Sequence, residues 1–405
     1  MSEETKKAPA IRFQGFTDDW EQRKLGDVYT ERNKRGNDSL KILSVSIHHG
    51  VSNEELDSNT LGKEVRRSED KSLYKHVYLG DLVLNMMRAW QGAVGVVKSE
   101  AMVSPAYITA VPSAELYPLF MDFYLRRDEA IGQMNNLSYG VTDFRKRLYW
   151  DSFVKVLCHI PTVAEQERIT VFFTHLDDTI ALHQRKLTLF NQLKETYLKQ
   201  MFPQNEENMS VLRFADFSEP WEQRKWSETV DISTEMVNPK TGEYDSLPHI
   251  GPGNIESFTG RILDNVKSVK EDNLISGKFH FYPGDVIYGK INPQLGKYAM
   301  VDFEGLASAD SYVLNTKNGV SQTFLFTILQ GTSFYKYSVS VSMRTGMPKI
   351  NRDELNQYSY SAPSIVEQEK IGHFFQQLDD TSALHQEKIA HLKVLKTTLL
   401  NKMFI

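Results

Sequence analysis

In two stretches of this 405-residue chain the apolar positions fall at helical intervals over ten consecutive seam places. The first runs Ile169, Phe173, Leu176, Ile180, His183, Leu187, Phe190, Leu193, Tyr197, Met201, with spacings that mostly alternate between four and three. The second places Ile371, Phe375, Leu378, Ser382, His385, Ile389, Leu392, Leu395, Leu399 and Met403 in the same order. Such spacing is the signature of a coiled-coil seam. Pro161 and Pro363 precede the two stretches, Pro203 closes the first, and Gly372 is the sole glycine, near the start of the second. Two helices of about 33 residues would be rods of roughly 50 Å. A lone rod with an apolar stripe is unstable in water, and the duplicated copy is its nearest partner.

Elsewhere the pattern is shorter and β-branched. The runs 41–47, 82–84, 93–97 and 107–111 are bounded by Gly, Pro or Asp and predict strands. Residues 118–134 and 322–337 predict helices. Each variable segment is therefore expected to be a mixed α+β domain.

The two seams belong to a larger duplication. Trp20-Glu21-Gln22-Arg23-Lys24 recurs as Trp221-Glu222-Gln223-Arg224-Lys225, an offset of 201. Residues 161–202 match 363–404 without a gap at 22 of 42 positions. Leu79-Gly80-Asp81-Leu82-Val83 resembles Pro283-Gly284-Asp285-Val286-Ile287, and Gly140 precedes Asp151 as Gly346 precedes Asp353. The expected organisation is a recognition-type segment over 1–160, a long helix over 161–203, a polar linker and second segment over 204–361, and a second long helix over 362–405.

Composition narrows the class. Cys158 is the only cysteine, so no internal disulfide can form, and no Cys/His cluster has zinc-finger spacing. No apolar stretch is long enough to cross a bilayer, and 1–7 is mixed-charge without an apolar core behind it, which reads as cytoplasmic with no membrane association. A net charge of −5 taken alone speaks against nucleic acid. The charge is unevenly spread, however: residues 1–160 hold 22 basic and 22 acidic side chains, whereas 205–361 hold 15 and 20, so the excess acid lies in the second segment alone.

The catalytic signatures sought are missing: no phosphate-binding Gly-rich loop, no dinucleotide fingerprint, no His-Glu-x-x-His and no nucleophile elbow. Asn238-Pro239-Lys240 and Asn292-Pro293-Gln294 lack the rest of an amino-methyltransferase motif and read as turns. The pairs Asp177-Asp178 and Asp379-Asp380 suggest acid–base work or a metal, but neighbours on a helix point about 100° apart and cannot converge on one substrate. His183 and His385 lie in the seam without other ligand types, which favours packed, hydrogen-bonded histidines over a metal pair. We expect no catalytic residue, no metal and no cofactor of the chain's own.

Basic side chains do cluster locally. Arg66-Arg67 with Lys71, Arg126-Arg127, and Arg145-Lys146-Arg147 among Tyr139, Phe144, Tyr149 and Trp150 form candidate phosphate contacts. Arg88 and Gln91, in Arg88-Ala89-Trp90-Gln91 between two predicted strands, offer a guanidinium for guanine and an amide for adenine. The second half answers with Lys290, Asn292, Gln294, Lys297, Arg344 and Lys349. Any one of these is ordinarily a solubilising residue, and their recurrence at matching places is what points to double-stranded DNA. A pseudo-symmetric scaffold that binds no nucleic acid is the alternative.

The pattern Pro161-x-x-x-Glu165-Gln166-Glu167-x-Ile169 running into Leu176-Asp177-Asp178-x-Ile180, repeated as Pro363-x-x-x-Glu367-Gln368-Glu369-x-Ile371 running into Leu378-Asp379-Asp380, resembles the specificity subunits of type I restriction-modification enzymes. The Gly80-Asp81 and Gly284-Asp285 turns also fit. The resemblance implies two target-recognition domains, each reading one part of an asymmetric bipartite sequence, separated by two long helices packed as an antiparallel coiled coil with pseudo-two-fold symmetry. It implies two methylation subunits carrying S-adenosylmethionine as partners, restriction subunits that use ATP and Mg²⁺ in the full complex, and a specificity subunit that is not itself an enzyme. Ser382 departs from the pattern where the first copy has Ile180, placing a small polar residue in the second seam.

Overall fold

A computed structural model describes residues 8–47, 50–52, 71–142, 145–203, 209–343 and 346–405. The chain divides into two compact units, 1–181 with 390–405, and 182–389. The division falls inside both long helices, which run over Val163–Gln200 and Ile365–Met403, five or six residues longer than the seam predicts.

The first unit is built on a four-stranded antiparallel sheet in the order Tyr29–Glu31, Tyr107–Pro112, Leu82–Asn85, Val94–Val96. Its inner strand Leu82–Asn85 is buried at every position, and apolar at the first three, because both faces are covered. Leu82 and Leu84 face a core with Phe120, Phe153 and Phe173, while Val83 faces a second one with Leu43, Val77 and Val103, as the period of two requires. The second core belongs to a three-stranded sheet of Ile42–Leu43, Ala101–Val103 and Lys75–Val77. The expected strand 41–47 is split, because Ile42–Leu43 pairs with Met102 and Val103 whereas Val45–Ser46 turns to pair with Gly50 and Val51.

The second unit repeats this plan with Val230–Ile232, Ser311–Thr316, Val286–Gly289 and Tyr298–Met300, and with a five-stranded sheet beside it. Val286 and Tyr288 face one core and Ile287 the other. Each expected helix after the sheet is two helices. Pro118–Tyr124 and Asp128–Leu137 are parted where Arg127 is extended, and Gln322–Gln330 and Thr332–Ser342 where Gly331 is extended at φ −72° and ψ 147°. Glycine favours that break because its helical state costs about 1 kcal/mol relative to alanine.

A stretch of each long helix completes each core, and the two stretches in a unit run antiparallel. In the first unit Ile169, Phe173 and Ile180 are buried, Leu176 is half-buried, and Phe404 packs on Phe173 at 5.9 Å between ring centroids while Leu392 is also buried. Lys396 Nζ pairs with Asp177 Oδ1 at 2.5 Å. In the second unit Ile371, Phe375 and Ile389 are buried, Leu187 and Leu378 are half-buried, and Lys194 Nζ pairs with Asp379 Oδ1 at 2.5 Å. His183 and His385 face one another, Nδ1 to Nδ1 at 2.8 Å, with Phe190 stacked on His385. Ser382 leaves the second seam open, and it lines a cleft with Lys194, Asp379, Phe258 and Tyr298.

Candidate nucleic-acid interface

The repeated Glu-Gln pair acts structurally, which its spacing did not disclose. Glu165 is fully buried and takes both nitrogens of the Arg12 fork at 2.6 and 2.7 Å; Glu367 does the same with Arg213 at 2.7 and 2.7 Å. The hydrogen bond to the carboxylate, ahead of an opposing loss on burial, raises both arginines above their ordinary value. Gln166 accepts from Tyr117 N and donates to the Glu115 and Pro161 carbonyls, and Gln368 accepts from Ser321 N and donates to the Gly319 and Pro363 carbonyls. Each long helix is thereby locked to the loop that enters the first post-sheet helix. Arg12 and Arg213 stand at the same offset of 201 as the repeated Trp-Glu-Gln-Arg-Lys motif.

A turn lies at one end of each four-stranded sheet. In the first unit a short 3₁₀ turn, Ala89–Gln91, joins Leu82–Asn85 to Val94–Val96 and leaves Arg88 and Gln91 exposed. Gly92 ends it in the left-handed region at φ 92°, and a Cβ there would approach Ile131 to 2.9 Å, so glycine is required twice over. A second segment lies alongside, because Leu148 N donates to the Met86 carbonyl and Tyr139 bridges to Arg147. It brings Lys146 to 5.5 Å over the Trp90 ring and within hydrogen-bonding reach of Asn135 Oδ1. Tyr139 stacks on Tyr149 at 4.9 Å, and Arg145 is exposed while Arg147 is half-buried. Thus Arg88, Gln91, Arg145, Lys146 and Arg147 share one surface with three aromatic rings. Arg66 and Arg67 lie outside the described residues.

The second unit copies the backbone and changes the side chains. Asn292 takes the place of Arg88, Pro293–Leu295 forms the 3₁₀ turn, and Gly296 is left-handed at φ 55° with the Phe258 ring against it. Ile350 N donates to the Lys290 carbonyl and Asn292 N to the Pro348 carbonyl, the equivalent of the Leu148 to Met86 bond. Asn292 itself is left-handed at φ 51°, a conformation asparagine tolerates better than most residues. Lys290 sits 5.1 Å over Tyr312, and burial first, then Lys349, lowers its ammonium below the ordinary lysine range. Lys349 is exposed, Gln294 is half-buried, and Lys297 donates to the Ile255 carbonyl. Arg344 lies outside the described residues.

Among the described residues no three His, Cys, Asp or Glu side chains converge as a metal site, and no helix is long and apolar enough to cross a membrane. The first unit presents an exposed turn carrying a guanidinium and an amide, the second a half-buried turn carrying two amides, each beside a second segment with further bases. Arginine and amide side chains read base edges in the major groove, and flanking lysines neutralise phosphates.

Residues 218–394 match the family described as the type I restriction modification DNA specificity domain. The chain is 30% identical over 188 residues to the type I restriction enzyme EcoDI specificity subunit of Escherichia coli, covering 45% of this chain and 41% of the relative. It is 29% identical over 175 residues to the HindI specificity subunit of Haemophilus influenzae, covering 40% and 36%. The matches thus span about two-fifths of these relatives' length. The S subunit of a type I restriction-modification system from M. genitalium aligns over 98% of this chain and 99% of its own, with a TM-score of 0.63 at 13% identity. A chain from a solved type I R-M system aligns over 96% and 98% with a TM-score of 0.50 at 18% identity. At such identities these two likenesses establish the fold.

Proposed function

We propose that this chain is the DNA-recognition subunit of a type I restriction-modification complex and performs no catalysis itself. In this reading each unit carries a recognition domain for one part of an asymmetric bipartite sequence. The long helices form an antiparallel coiled coil between the domains and dock two methylation subunits, which supply S-adenosylmethionine; restriction subunits using ATP and Mg²⁺ join the full complex. The observation that carries the reading is the turn that recurs in both units with different side chains: Arg88, Gln91 and Lys146 in one, Asn292, Lys290 and Lys349 in the other. A shared backbone with divergent hydrogen-bonding groups is what independent readout of two unlike half-sites requires.

Two measurements test it. Binding of the chain, in complex with its methylation partner, to one bipartite sequence should weaken steeply with salt; a flat response would sink the proposal. Replacing residues 15–160 by another recognition domain should change only one half of the methylated motif. A change in both halves would refute independent readout.

A further inference from the structure

The two units differ sharply at one place outside the reading turns. In the first, Tyr78 begins the Gly80 turn, and its backbone N–H donates to Asp81 Oδ2 at 2.8 Å. Two cations cover its ring, Arg32 at 4.7 Å and Lys34 at 4.9 Å. Arg32 also pairs with Asp81, its Nη2 donating to Oδ1 at 2.9 Å. Aromatic face, buried carboxylate and guanidinium form one closed set.

The same backbone recurs in the second unit. Tyr282 N–H donates to Asp285 Oδ2 at 2.9 Å. Ser233 stands where Arg32 does: Arg32 N donates to the Thr109 carbonyl and Ser233 N to the Val313 carbonyl, both at 2.9 Å. Glu235 stands where Lys34 does, since His76 N donates to the Lys34 carbonyl and His280 N to the Glu235 carbonyl. Both cations are therefore gone while the Tyr and Asp remain. Asp285 is only 8% exposed, yet among the described residues its second oxygen has no partner, and Tyr282 is 47% exposed. Glu304, held by His280 Nε2 at 2.8 Å, adds a further carboxylate. Arg352, whose guanidinium donates to the Ile232 and Ser233 carbonyls, is committed elsewhere. Partial burial and then Glu235, Glu304 and Asp285 push the Tyr282 phenol above its ordinary value, with no cation among the causes.

We propose that Tyr282, Asp285 and Glu235 form an acceptor site for an arginine of a partner polypeptide, whose guanidinium takes the position that Arg32 holds in the first unit. Arginine suits it because a planar fork can pair with a carboxylate edge and lie over a tyrosine ring at once, which an ammonium does less well. A polypeptide suits it because the surrounding carboxylates repel nucleic acid. This inference does not depend on the DNA reading.

The full-length chain provides the test, with a blocked Gly-Arg-Gly tripeptide as probe, its citrulline analogue as neutral control, and ligand-observed NMR as readout. The arginine peptide should bind and the citrulline peptide should not. Asp285→Asn should weaken binding about tenfold, as loss of a charge-assisted pair does. Ser233→Arg with Glu235→Lys rebuilds the first unit's closed set, and it should abolish binding while leaving the chain at least as stable to heat. Conversely, Arg32→Ser with Lys34→Glu should open a second site and raise the stoichiometry. Equal binding by the wild type and the Ser233→Arg, Glu235→Lys variant would overturn the proposal. So would no binding by the wild type, or tighter binding of spermidine than of the peptide.

Discussion

The two units keep several paired polar contacts and change the side chains around their turns. Arg12 with Glu165 is repeated by Arg213 with Glu367, Gln166 by Gln368, Asp177 with Lys396 by Asp379 with Lys194, and His76 with Glu100 by His280 with Glu304. By contrast Arg88 becomes Asn292, Arg32 becomes Ser233 and Lys34 becomes Glu235. A buried charge that loses its partner costs several kcal/mol, whereas an exposed one costs about 1 kcal/mol or less, so the change of Arg88 to Asn292 is cheap while the loss of Arg32 leaves the buried Asp285 short of a partner. The turns are cheap to alter and able to touch a ligand.

This contrast can be broken by experiment. The largest effect should come from Glu165→Ala and Glu367→Ala, each of which leaves a partly buried arginine without its carboxylate and should cost about 3–5 kcal/mol. Urea unfolding of the full chain should show similar losses in the two variants. A large inequality would mean that the units are not energetic equivalents.

Next comes DNA affinity. Replacing Arg145, Lys146 and Arg147 together by Ala should weaken binding at low salt by about 100-fold and flatten the salt dependence by up to roughly three contacts. Lys290→Ala with Lys349→Ala should weaken it by about tenfold, since two contacts are removed rather than three. The reverse ranking would assign the main electrostatic anchor to the second unit.

The helix ion pairs should separate the units more finely. Asp379 is 19% exposed and Asp177 44%, so Lys194→Met should cost about 2 kcal/mol and Lys396→Met less than about 1 kcal/mol. Equal costs in thermal melts would show that burial does not set their strength.

The smallest effect concerns pH. Burial first, then His183 and Lys186, lowers His385 below its ordinary value of 6.5. The folded state therefore resists protonation more than the unfolded state does. Stability is fully present above about pH 6.5 and declines as pH falls toward the lowered value. His385→Gln should flatten that decline in melts between pH 7.5 and 5.5, and an unchanged slope would assign it to other groups.

Much of this was legible in the sequence. The seam positions fall on the helices Val163–Gln200 and Ile365–Met403, because a repeated apolar period and a repeated Pro-x-x-x-Glu-Gln motif survive divergence. The glycines that begin and end the sheet turns were visible as Gly80 and Gly284, but Gly92 and Gly296 were not singled out, since their need comes from Ile131 and Phe258 far along the chain. The roles of Glu165 and Gln166 were hidden for the same reason: their partners Arg12 and Glu115 are distant in sequence. The strand expected over 41–47 and the helices expected over 118–134 and 322–337 are each divided in the structure, because local propensity does not reveal which partner strand interrupts a run or where a single extended residue breaks a helix.

By itself, then, the amino-acid sequence determined the periodicities, the duplication and the uneven spread of charge, all of which are properties of residues read in order. Only the tertiary structure decided which charges are spent and which remain available. Lys297 donates to a carbonyl, Lys194 and Lys396 hold carboxylates, and Asp285 keeps an oxygen that Arg32 would fill in the other unit. The physical reason is that a charge is committed by its neighbours in space, at distances near 3 Å, and those neighbours are set by the fold and not by the order of the chain.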